Sequence, residues 1–344
     1  MDPANLVAGL RARRPAAVAR AISLVENARP GFEQLLSSIH ASLGHARRIG
    51  ITGPPGAGKS TLTEQLVQRF REQGFTVAVV AVDPTSPFTG GALLGDRIRM
   101  ESVALDPGVF IRSMATRGSL GGLATTTREV CDVLDAGGFD RILIETVGVG
   151  QSELDVARSA DSTVLVLVPE SGDGIQTLKS GIMEIGDLFV VNKADRPGAD
   201  RLRTEIEITL GIRAGNAFRN MPAHHGRSAS APTADPAAGT PHGWVQPVLG
   251  TVASTGTGVA ELVMALEQHD AWLRRSGTLA ARRSDRVLQR TREVVNRAMR
   301  QWLWQEAGAE QQIRDRLDDL THGRVSPYDV AADVLDSLKQ GMRV

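Results

Sequence analysis

The sequence is poor in cysteine, in aromatic side chains and in net charge. Its 344 residues include one cysteine, Cys131, only 4% are aromatic, and 39 basic side chains balance 39 acidic ones. A single cysteine forms neither an internal disulfide nor a cysteine-rich metal cluster, which favours a reducing compartment. Zero net charge gives no field that would draw the chain to nucleic acid or to an anionic membrane surface. We therefore expect no nucleic-acid partner and no membrane partner.

Long apolar runs are missing too. No stretch approaches the ~18 consecutive apolar residues of a membrane span. The first residues also lack the basic segment followed by an apolar one that marks a secretion signal. Because 42% of the chain is apolar but few residues are aromatic, the interior is expected to consist of Ala, Val, Leu and Ile. These features predict a cytoplasmic α/β protein.

Three parts follow one another along the chain. Residues 1–46 carry apolar side chains at helical spacing and predict two helices. In residues 47–276, short β-branched runs alternate with helical stretches, which is typical of βαβ units around a mostly parallel sheet. Within this part, residues 219–243 are rich in Ala, Pro and His and predict a flexible insertion loop. Residues 277–344 are helical again.

Those C-terminal helices carry a possible apolar seam, which consists of Val287, Val294, Val295, Met299, Trp302 and Leu303. The seam either packs on the rest of the chain or forms a dimer, and both alternatives stay open at this point.

Seven short segments are candidate strands, and several of them are apolar at successive positions, as strands covered on both faces should be. They are Ile49–Thr52, Val77–Val82, Val109–Ser113, Arg141–Ile144, Thr163–Val168, Phe189–Asn192 and Val248–Val252. Polar residues stand just past the ends of several of these segments. Because ligands bind at the carboxyl edge of open α/β sheets, this placement itself indicates a site there.

A complete phosphate-binding loop, Gly-Pro-Pro-Gly-Ala-Gly-Lys-Ser, covers residues 53–60. Its glycines let backbone N–H groups turn towards phosphates, Lys59 reaches the β- and γ-phosphates, and the Ser60 hydroxyl is a ligand for Mg²⁺. The residues expected to contact the nucleotide here are Gly53, Pro55, Gly56, Ala57, Gly58, Lys59, Ser60 and Thr61. The loop therefore predicts a P-loop nucleotide site.

A second motif, Asn192-Lys193-Ala194-Asp195, follows the apolar run 188–191. An aspartate carboxylate accepts hydrogen bonds from the N1–H and the exocyclic amine of guanine, and adenine has no donors at those positions. The tetrapeptide alone arises easily by chance, but downstream of a phosphate loop it indicates a guanine site. We expect Asn192, Lys193 and Asp195 to bind the base of GTP or GDP.

Three acidic residues stand at or shortly after strand ends downstream of the phosphate loop. Asp83 and Glu145 close predicted strands, and Asp96 lies in the stretch after the first of them. Mg²⁺ keeps an octahedral shell of protein, phosphate and water oxygens, so Ser60 and one or more of these carboxylates form a candidate metal site. The three carboxylates and Lys59 are also the candidate catalytic residues.

The two aspartates also have structural explanations. Asp83 precedes a proline and could start a turn, and Asp96 could pair with a neighbouring arginine on a helix surface. Hydrolysis further needs a positioned water and positive charge on the transition state, and the sequence identifies neither. Candidate cations are Arg112, Arg117 and Lys179. We expect slow intrinsic GTP hydrolysis that a partner or a second copy accelerates.

Four segments resemble the MeaB/ArgK family of P-loop GTPases, which includes the human protein of methylmalonic aciduria type A. They cover residues 81–100, 117–122, 145–153 and 181–187. The first, Ala-Val-Asp-Pro-Thr-Ser-Pro-Phe-Thr-Gly-Gly-Ala-Leu-Leu-Gly-Asp-Arg-Ile-Arg-Met, has no counterpart in ordinary GTPases. The resemblance extends over essentially the whole chain.

The resemblance implies a GTP-hydrolysing metallochaperone that is homodimeric through its C-terminal helices. The partner it implies is an adenosylcobalamin-dependent acyl-CoA mutase, methylmalonyl-CoA mutase or a relative such as isobutyryl-CoA mutase. The chaperone would gate cofactor loading and protect or reactivate that enzyme.

The family pattern also implies roles for individual residues. Asp83, Asp96 and Glu145 would surround Mg²⁺, and residues 168–179 would be a switch that faces the partner. The pair Ala253-Ser254, which we expect near the guanine, departs from the family's usual Ser-Ala. A guanine contact is therefore either lost or made by the backbone.

Two other functions fit the same phosphate loop. A P-loop kinase linked to amino-acid transport needs an acceptor pocket with a base near the γ-phosphate, and the sequence shows no second substrate domain. A GTPase that inserts a metal such as nickel needs a His- or Cys-rich cluster, and one cysteine with scattered histidines argues against it. The mutase chaperone is the preferred hypothesis.

Overall fold

The computed structural model describes residues 3–83, 100–115, 122–146, 151–169, 182–213 and 243–341. Asp96 lies outside these ranges, as do most of the proposed switch and most of the insertion loop. Contacts divide the chain into two compact units, Met1–Arg286 and Val287–Val344. The division into three parts expected from the sequence stays a prediction.

Seven parallel strands form one sheet in the part of the first unit that the structure describes. They are β1 (Arg47–Thr52), β2 (Val77–Asp83), β3 (Val109–Ala115), β4 (Arg141–Thr146), β5 (Ser162–Leu167), β6 (Leu188–Asn192) and β7 (Val248–Thr251). Their order across the sheet is β3-β2-β4-β1-β5-β6-β7. The α/β fold and the seven predicted strands are confirmed. Several strand ends differ by one or two residues, because pairing continues into polar residues, as where Arg47 lies opposite Arg141.

Helices precede, connect and follow these strands. They are α1 (Pro3–Arg11), α2 (Pro15–Glu26), α3 (Phe32–Ile39), α4 (Lys59–Glu72), α5 (Glu101–Ala104), α6 (Gly122–Ala136), α7 (Gln151–Ser159), α8 (Ala199–Arg213), α9 (Val259–Arg275) and α10 (Thr278–Gln301). Short 3₁₀ turns lie at His40–Ser42 and Ile182–Glu184. No helix in the described ranges is long and apolar enough to cross a membrane.

Strand side chains alternate between helical layers on the two faces of the sheet, as the period of two in a strand requires. Ile51 and Val164 point to one face and pack with α4 and α9. Val80 and Ile144 point to the other and pack with α1, α2, α3, α6 and α7. Phe189 of β6 packs with α8. Because helices cover both faces of the sheet, a ligand site is expected at one of its edges.

The N-terminal segment contains three helices where the sequence predicted two. The prediction missed α1 because its nine residues include only three large apolar side chains, a weak periodic signal. Gly9 allows α1 to approach α2 closely, since a Cβ at this position would lie 2.9 Å from the Cβ of Ala17. Leu10 and Val18 are buried in the same core as Val80 of the sheet. The N-terminal helices therefore form one layer of the fold.

Arg112 does not lie where a phosphate ligand would. It is in the middle of β3, opposite Val80 of β2, three residues before β3 ends. Its guanidinium forms an ion pair with Glu26 of α2 and donates to Ser23 Oγ at 3.3 Å. The expectation that Arg112 approaches the phosphates was therefore wrong, because its side chain is used to hold α2 on the sheet. The other two candidate cations lie outside the described residues.

Three arginines near the start of α10 form ion pairs at the amino edge of the sheet, where the strands begin. Arg282 pairs with Asp187, which precedes β6, at 2.8 Å. Arg283, at 2.9 Å, and Arg286 both pair with Asp161, which precedes β5. Burial alone would raise the pKa of Asp161, but Arg286 and Arg283 hold it well below its usual range. We call these five side chains the arginine clasp.

A buried histidine of α9, His269, lies beside the clasp. Its Nδ1 is 2.8 Å from Ser162 Oγ, and its Nε2 is 3.5 Å from Asp187 Oδ1. Its ring also contacts the rings of Trp244 and Trp272, with centroids 4.7 Å and 5.9 Å away. Burial lowers the pKa of His269 to about 4, against the opposing charge of Asp187. The imidazole is therefore neutral at pH 7.

The second unit is helical and has a small core of its own. Beyond the end of α10 it contains a π-helical turn at Trp302–Glu306, then α11 (Ala309–Asp315), α12 (Leu317–Thr321) and α13 (Pro327–Gly341). The core residues are Ala309, Val330 and Val334, with Leu303 among those packed against them. Other members of the expected seam, Val287, Val295 and Met299, are about half exposed.

We expect His269 to make the fold less stable at mildly acidic pH. Because its pKa is about 4 in the fold and ~6.5 in the unfolded chain, the unfolded chain takes up a proton that the native state excludes. The free energy of unfolding should fall by about 2 kcal/mol between pH 7 and pH 5 from this residue. Urea denaturation at both pH values, with His269→Gln as the comparison, measures the effect. An equal pH dependence in both proteins would contradict it.

Candidate nucleotide site

The phosphate loop joins the end of β1 to the start of α4, at the carboxyl edge of the sheet. Gly58, with φ of 83°, precedes α4, and Lys59 is its first residue. The N–H groups in the first turn of a helix have no intrahelical partner and carry partial positive charge, which favours a bound anion. The local sequence thus produces the loop-to-helix geometry that phosphate binding requires.

Two glycines of the loop are required by space as well as by conformation. Gly53 has φ of 140°, and a Cβ there would overlap the carbonyl oxygen of Val166 in β5. A Cβ at Gly58 would overlap the side-chain amide of Asn192. The phosphate loop therefore lies directly against β5 and against the predicted base motif. Pro55, Gly56 and Thr61 are exposed on the loop and on the first turn of α4.

Lys59 is buried and bends back over its own loop. Its Nζ donates to the carbonyl oxygens of Gly53 at 2.7 Å and Pro54 at 3.0 Å. These contacts hold the ammonium on the inner side of the loop, where its charge can face the phosphates that the loop encloses. The loop's own carbonyl groups thus position the Lys59 side chain.

Ser60 and Glu145 meet across the gap between α4 and β4. Ser60 Oγ donates to Glu145 Oε1 at 2.5 Å, and Glu145 is buried near the end of β4, opposite Ile51 of β1. Since the serine proton is directed at the carboxylate, the lone pairs of Ser60 Oγ can face a metal. A hydroxyl and a carboxylate are the hard oxygen donors that Mg²⁺ prefers, so this pair fits the ion.

The other expected metal ligands are less completely described. Asp83 ends β2, the neighbour of β4, with Ala81 paired to Glu145, so its backbone stands at the same carboxyl edge. Asp96 lies outside the described residues. Within those residues, no group of three His, Cys, Asp or Glu side chains forms a metal site by itself. In the described part of the chain, the side chains of the candidate magnesium site are therefore Ser60 and Glu145.

The side chain of Asn192, the last residue of β6, connects the phosphate loop with the loop after β7. Its Nδ2 donates to Ala57 O at 2.8 Å. Its Oδ1 accepts from Ala253 N–H at 3.0 Å and from Thr251 Oγ1 at 3.1 Å. Thr251 was not among the predicted site residues, because a threonine at a strand end carries no motif of its own. Asn192 therefore holds the phosphate loop, β7 and the loop after β7 together, and it also lies next to the candidate site.

The rest of the base motif turns outwards. Lys193 has φ of 57°, a left-handed conformation that costs a non-glycine residue about 1 kcal/mol. Ala194 N–H donates to Thr251 O at 2.9 Å, which fixes the turn against β7. Asp195 is exposed beyond this turn, and so is Ser254 in the loop after β7. Both are accessible to a base, whereas Ala253 is buried and its N–H is bonded to Asn192.

Comparison with known proteins identifies the family. The family described as methylmalonyl Co-A mutase-associated GTPase MeaB matches residues 18–308. The chain belongs to the MeaB family. A protein of Pyrococcus abyssi named as a GTPase is 47% identical over 280 residues, which are 81% of this chain and 80% of that protein.

Two more matches extend this MeaB-family relationship. A mouse mitochondrial protein named methylmalonic aciduria type A homolog is 50% identical over 148 residues, 43% of this chain and 36% of its own length. The crystal structure of a LAO/AO transport system kinase has a TM-score of 0.64 and 26% sequence identity, and the match covers 98% of this chain and 97% of that one. The resemblance seen in the sequence is confirmed.

As a MeaB-family protein, the chain hydrolyses GTP to GDP and phosphate, as predicted. In that reaction negative charge spreads over the oxygens of the transferred phosphoryl group, and catalysis depends on positioned positive charge. The described groups suited to stabilise it are the Lys59 ammonium and the N–H groups of the first turn of α4, and a metal bound near Ser60 would add further positive charge. The roles of the individual residues stay predictions.

We expect Glu145→Gln to raise the Mg²⁺ concentration that gives half-maximal GTP hydrolysis by roughly 10- to 100-fold. The variant keeps a hydrogen-bond acceptor for Ser60 but loses the negative charge, and loss of a group that orients a metal ligand typically costs roughly 10- to 100-fold in metal affinity. Glu72→Gln is the matched control, because Glu72 is exposed, pairs with Arg69 and lies at the end of α4 remote from the phosphate loop. Equal Mg²⁺ dependence in both variants would disprove the metal role of Glu145.

We expect Asp195→Asn to lower GTP affinity by roughly 100-fold or more, because the amide cannot accept both guanine hydrogen bonds. Xanthosine triphosphate should bind this variant better than the parent chain, since its C2 carbonyl accepts a bond from the amide. Competition against a fluorescent GDP measures both affinities. Asp200→Asn, on the exposed first turn of α8, is the control. If both variants bind GTP like the parent, Asp195 does not contact the base.

Proposed function

We propose that this GTPase is a nucleotide-dependent chaperone of an adenosylcobalamin-dependent acyl-CoA mutase, gating cofactor loading and protecting or reactivating the enzyme. The observation that carries the proposal is the match of residues 18–308 to a family described as mutase-associated. The mouse relative named for methylmalonic aciduria supports the same proposal. The client would be methylmalonyl-CoA mutase or a close relative such as isobutyryl-CoA mutase.

In this proposal the carboxyl edge of the sheet binds Mg²⁺ and GTP or GDP. Lys59 and the residues Gly53 to Thr61 take the phosphates, while Asn192, Lys193 and Asp195 take the base, together with the backbone at Ser254. Ser60 and Glu145 hold Mg²⁺, joined by Asp83 and Asp96. The ion supplies charge that stabilises the phosphoryl transition state. The protein residues would orient the phosphates and hold the ion next to them.

The state of the γ-phosphate can be communicated to a client through segments next to this site. Glu145 directly precedes the end of β4, and Val168 and Pro169 follow β5 at the same edge. Pro169 lies near Gly198 in the loop that follows the base motif, since a Cβ built at Gly198 would lie 3.6 Å from the Pro169 Cβ. Residues 168–179 are therefore well placed in the chain to respond to the nucleotide, and we assign them to the client-facing switch.

We further propose a homodimer through the C-terminal helices. Four apolar side chains of α10 in the second unit are about half exposed, and they are Val287, Leu288, Val295 and Met299. Trp304 in the following π-helical turn is 45% exposed. Apolar surface repeated along a long helix is a common basis for a symmetric dimer.

The similarity to a LAO/AO transport system kinase motivates one alternative function, that of a kinase linked to amino-acid transport. Such a kinase differs from the chaperone in the acceptor of the γ-phosphate, which is another molecule instead of water. Transfer of labelled phosphate to a protein or small molecule in the absence of mutase would support the kinase.

The deciding experiment measures binding and GTP hydrolysis with purified candidate mutases. We expect the GTPase to retain a mutase on an affinity column in a nucleotide-dependent way and to hydrolyse GTP at least ~10-fold faster in its presence, well below the ~10³-fold or more that an added arginine finger gives. Lys59→Ala is the control, because it should lose both the nucleotide dependence and the stimulation. If no mutase binds and hydrolysis never changes, the chaperone proposal is wrong.

A further inference from the structure

The arginine clasp lies at the amino edge of the sheet, opposite the nucleotide site. Arg282 binds Asp187 with both terminal nitrogens, at 2.8 Å and 3.1 Å. Arg283 Nη2 donates to Asp161 Oδ2 at 2.9 Å, and Arg286 donates to the other carboxylate oxygen of Asp161. The clasp therefore attaches one helix to two carboxylates that stand immediately before β5 and β6.

Each clasp carboxylate also binds the backbone of a neighbouring strand. Asp161 Oδ2 accepts the N–H of Arg48 in β1 at 3.1 Å. Asp187 Oδ2 accepts the N–H of Thr163 in β5 at 2.9 Å. Asp161 thus joins β1 to β5, and Asp187 joins β5 to β6. The three strands and α10 are held in one register by charge-assisted hydrogen bonds.

The arginines reach backbone carbonyls as well. Arg282 donates to Asp161 O at 2.8 Å, and Arg286 donates to Ser159 O, at the end of α7, also at 2.8 Å. Arg283 donates to Ala46 O, just before β1, at 3.0 Å. These contacts use the planar donor geometry of guanidinium, which a lysine ammonium does not reproduce.

Stability alone is a poor explanation for this network. Asp161 is 1% exposed in its side chain and Asp187 is 12% exposed, so the ion pairs form at a considerable desolvation cost. Buried ion pairs can often be replaced by apolar residues with little loss of stability, and in some proteins buried polar groups instead specify one geometry among alternatives. The specified geometry here is the position of the start of α10 relative to the amino ends of three strands.

The same three strands carry the nucleotide loops at their other ends. The phosphate loop follows β1, the proposed switch follows β5, and the base motif begins at the end of β6. A displacement of these three strands at the carboxyl edge would reach the amino edge if they move as one hydrogen-bonded body. The helix α10 continues beyond Arg286 as far as Gln301, within the second unit.

We propose that the arginine clasp transmits the nucleotide state to α10, so that the stability of its residues 287–301 differs between the GTP and GDP complexes. The inference rests on the proposed placement of the nucleotide at the carboxyl edge and does not depend on the mutase. It makes Arg282, Arg283 and Arg286 positioning residues that regulate the C-terminal part of α10 without touching the nucleotide.

A clasp that only anchors α10 would behave differently. Weakening an anchor lowers the stability of the whole chain, but it leaves any difference between the two nucleotide complexes unchanged. Weakening a transmitting contact removes the difference itself. The quantity to measure is therefore the nucleotide-dependent change in α10, compared between parent and variant.

Hydrogen exchange of the full chain, saturated with Mg²⁺ and either GDP or a non-hydrolysable GTP analogue, measures this change. In the parent, amides of residues 287–301 should exchange at rates that differ at least about fivefold between the two complexes, the low end of typical coupling energies. In the double variant Arg283→Lys/Arg286→Lys the difference should fall below about twofold. Each nucleotide should still bind the variant.

The matched control is Arg201→Lys/Arg203→Lys, which makes the same chemical change in two exposed pairs of α8 and should retain the full difference. If the clasp variant does not fold, Arg282→Lys, which leaves the Asp161 pairs intact, should reduce the difference partly. A parent chain without the difference, or a folded clasp variant that keeps all of it, overturns the proposal. No mutase enters the experiment, so the chaperone role and the clasp can fail independently.

Discussion

The side-chain amide of Asn192 is the contact on which the nucleotide site depends most. It is bonded at once to the phosphate loop through Ala57, to β7 through Thr251 and to the following loop through Ala253. The phosphate loop is far in the sequence from β7 and from the loop that directly follows it. Without the amide, the phosphate half and the base half of the site would lose the hydrogen bonds that fix the distance between them. The lack of a side chain at Gly58 belongs to the same constraint, because it makes room for this amide.

The two edges of the parallel sheet have different roles, since one presents groups to a ligand and the other attaches α10. At its carboxyl edge, strand ends and loops present polar groups to a ligand, as open α/β sheets generally do. At its amino edge, Asp161 and Asp187 direct their charges to the arginines of α10. The strands between these edges are mostly apolar and are covered by helices on both faces. A GTPase built in this way can bind nucleotide at one edge and hold the start of α10 at the other.

Contiguous motifs could be predicted from the sequence, and contacts between distant residues could not. The phosphate loop, the base motif and Glu145 at a strand end were all identified, because each depends on neighbours in sequence or on a strand boundary. Thr251 was missed because its role exists only once β7 lies beside β6. The pairing of Arg112 with Glu26 and the arginine clasp connect residues about 86 to 125 positions apart, and nothing local marks such partners.

The central claim is that one site at the carboxyl edge binds guanine, phosphate and Mg²⁺ together. A crystal structure of the full chain with Mg²⁺ and a non-hydrolysable GTP analogue tests it most directly. We expect Mg²⁺ at about 2.1 Å from Ser60 Oγ, with the Glu145 carboxylate bound directly or through one water. We also expect the Asp195 carboxylate to accept hydrogen bonds from N1–H and the exocyclic amine of guanine. A metal remote from Ser60, or a base that does not contact Asp195, would contradict it.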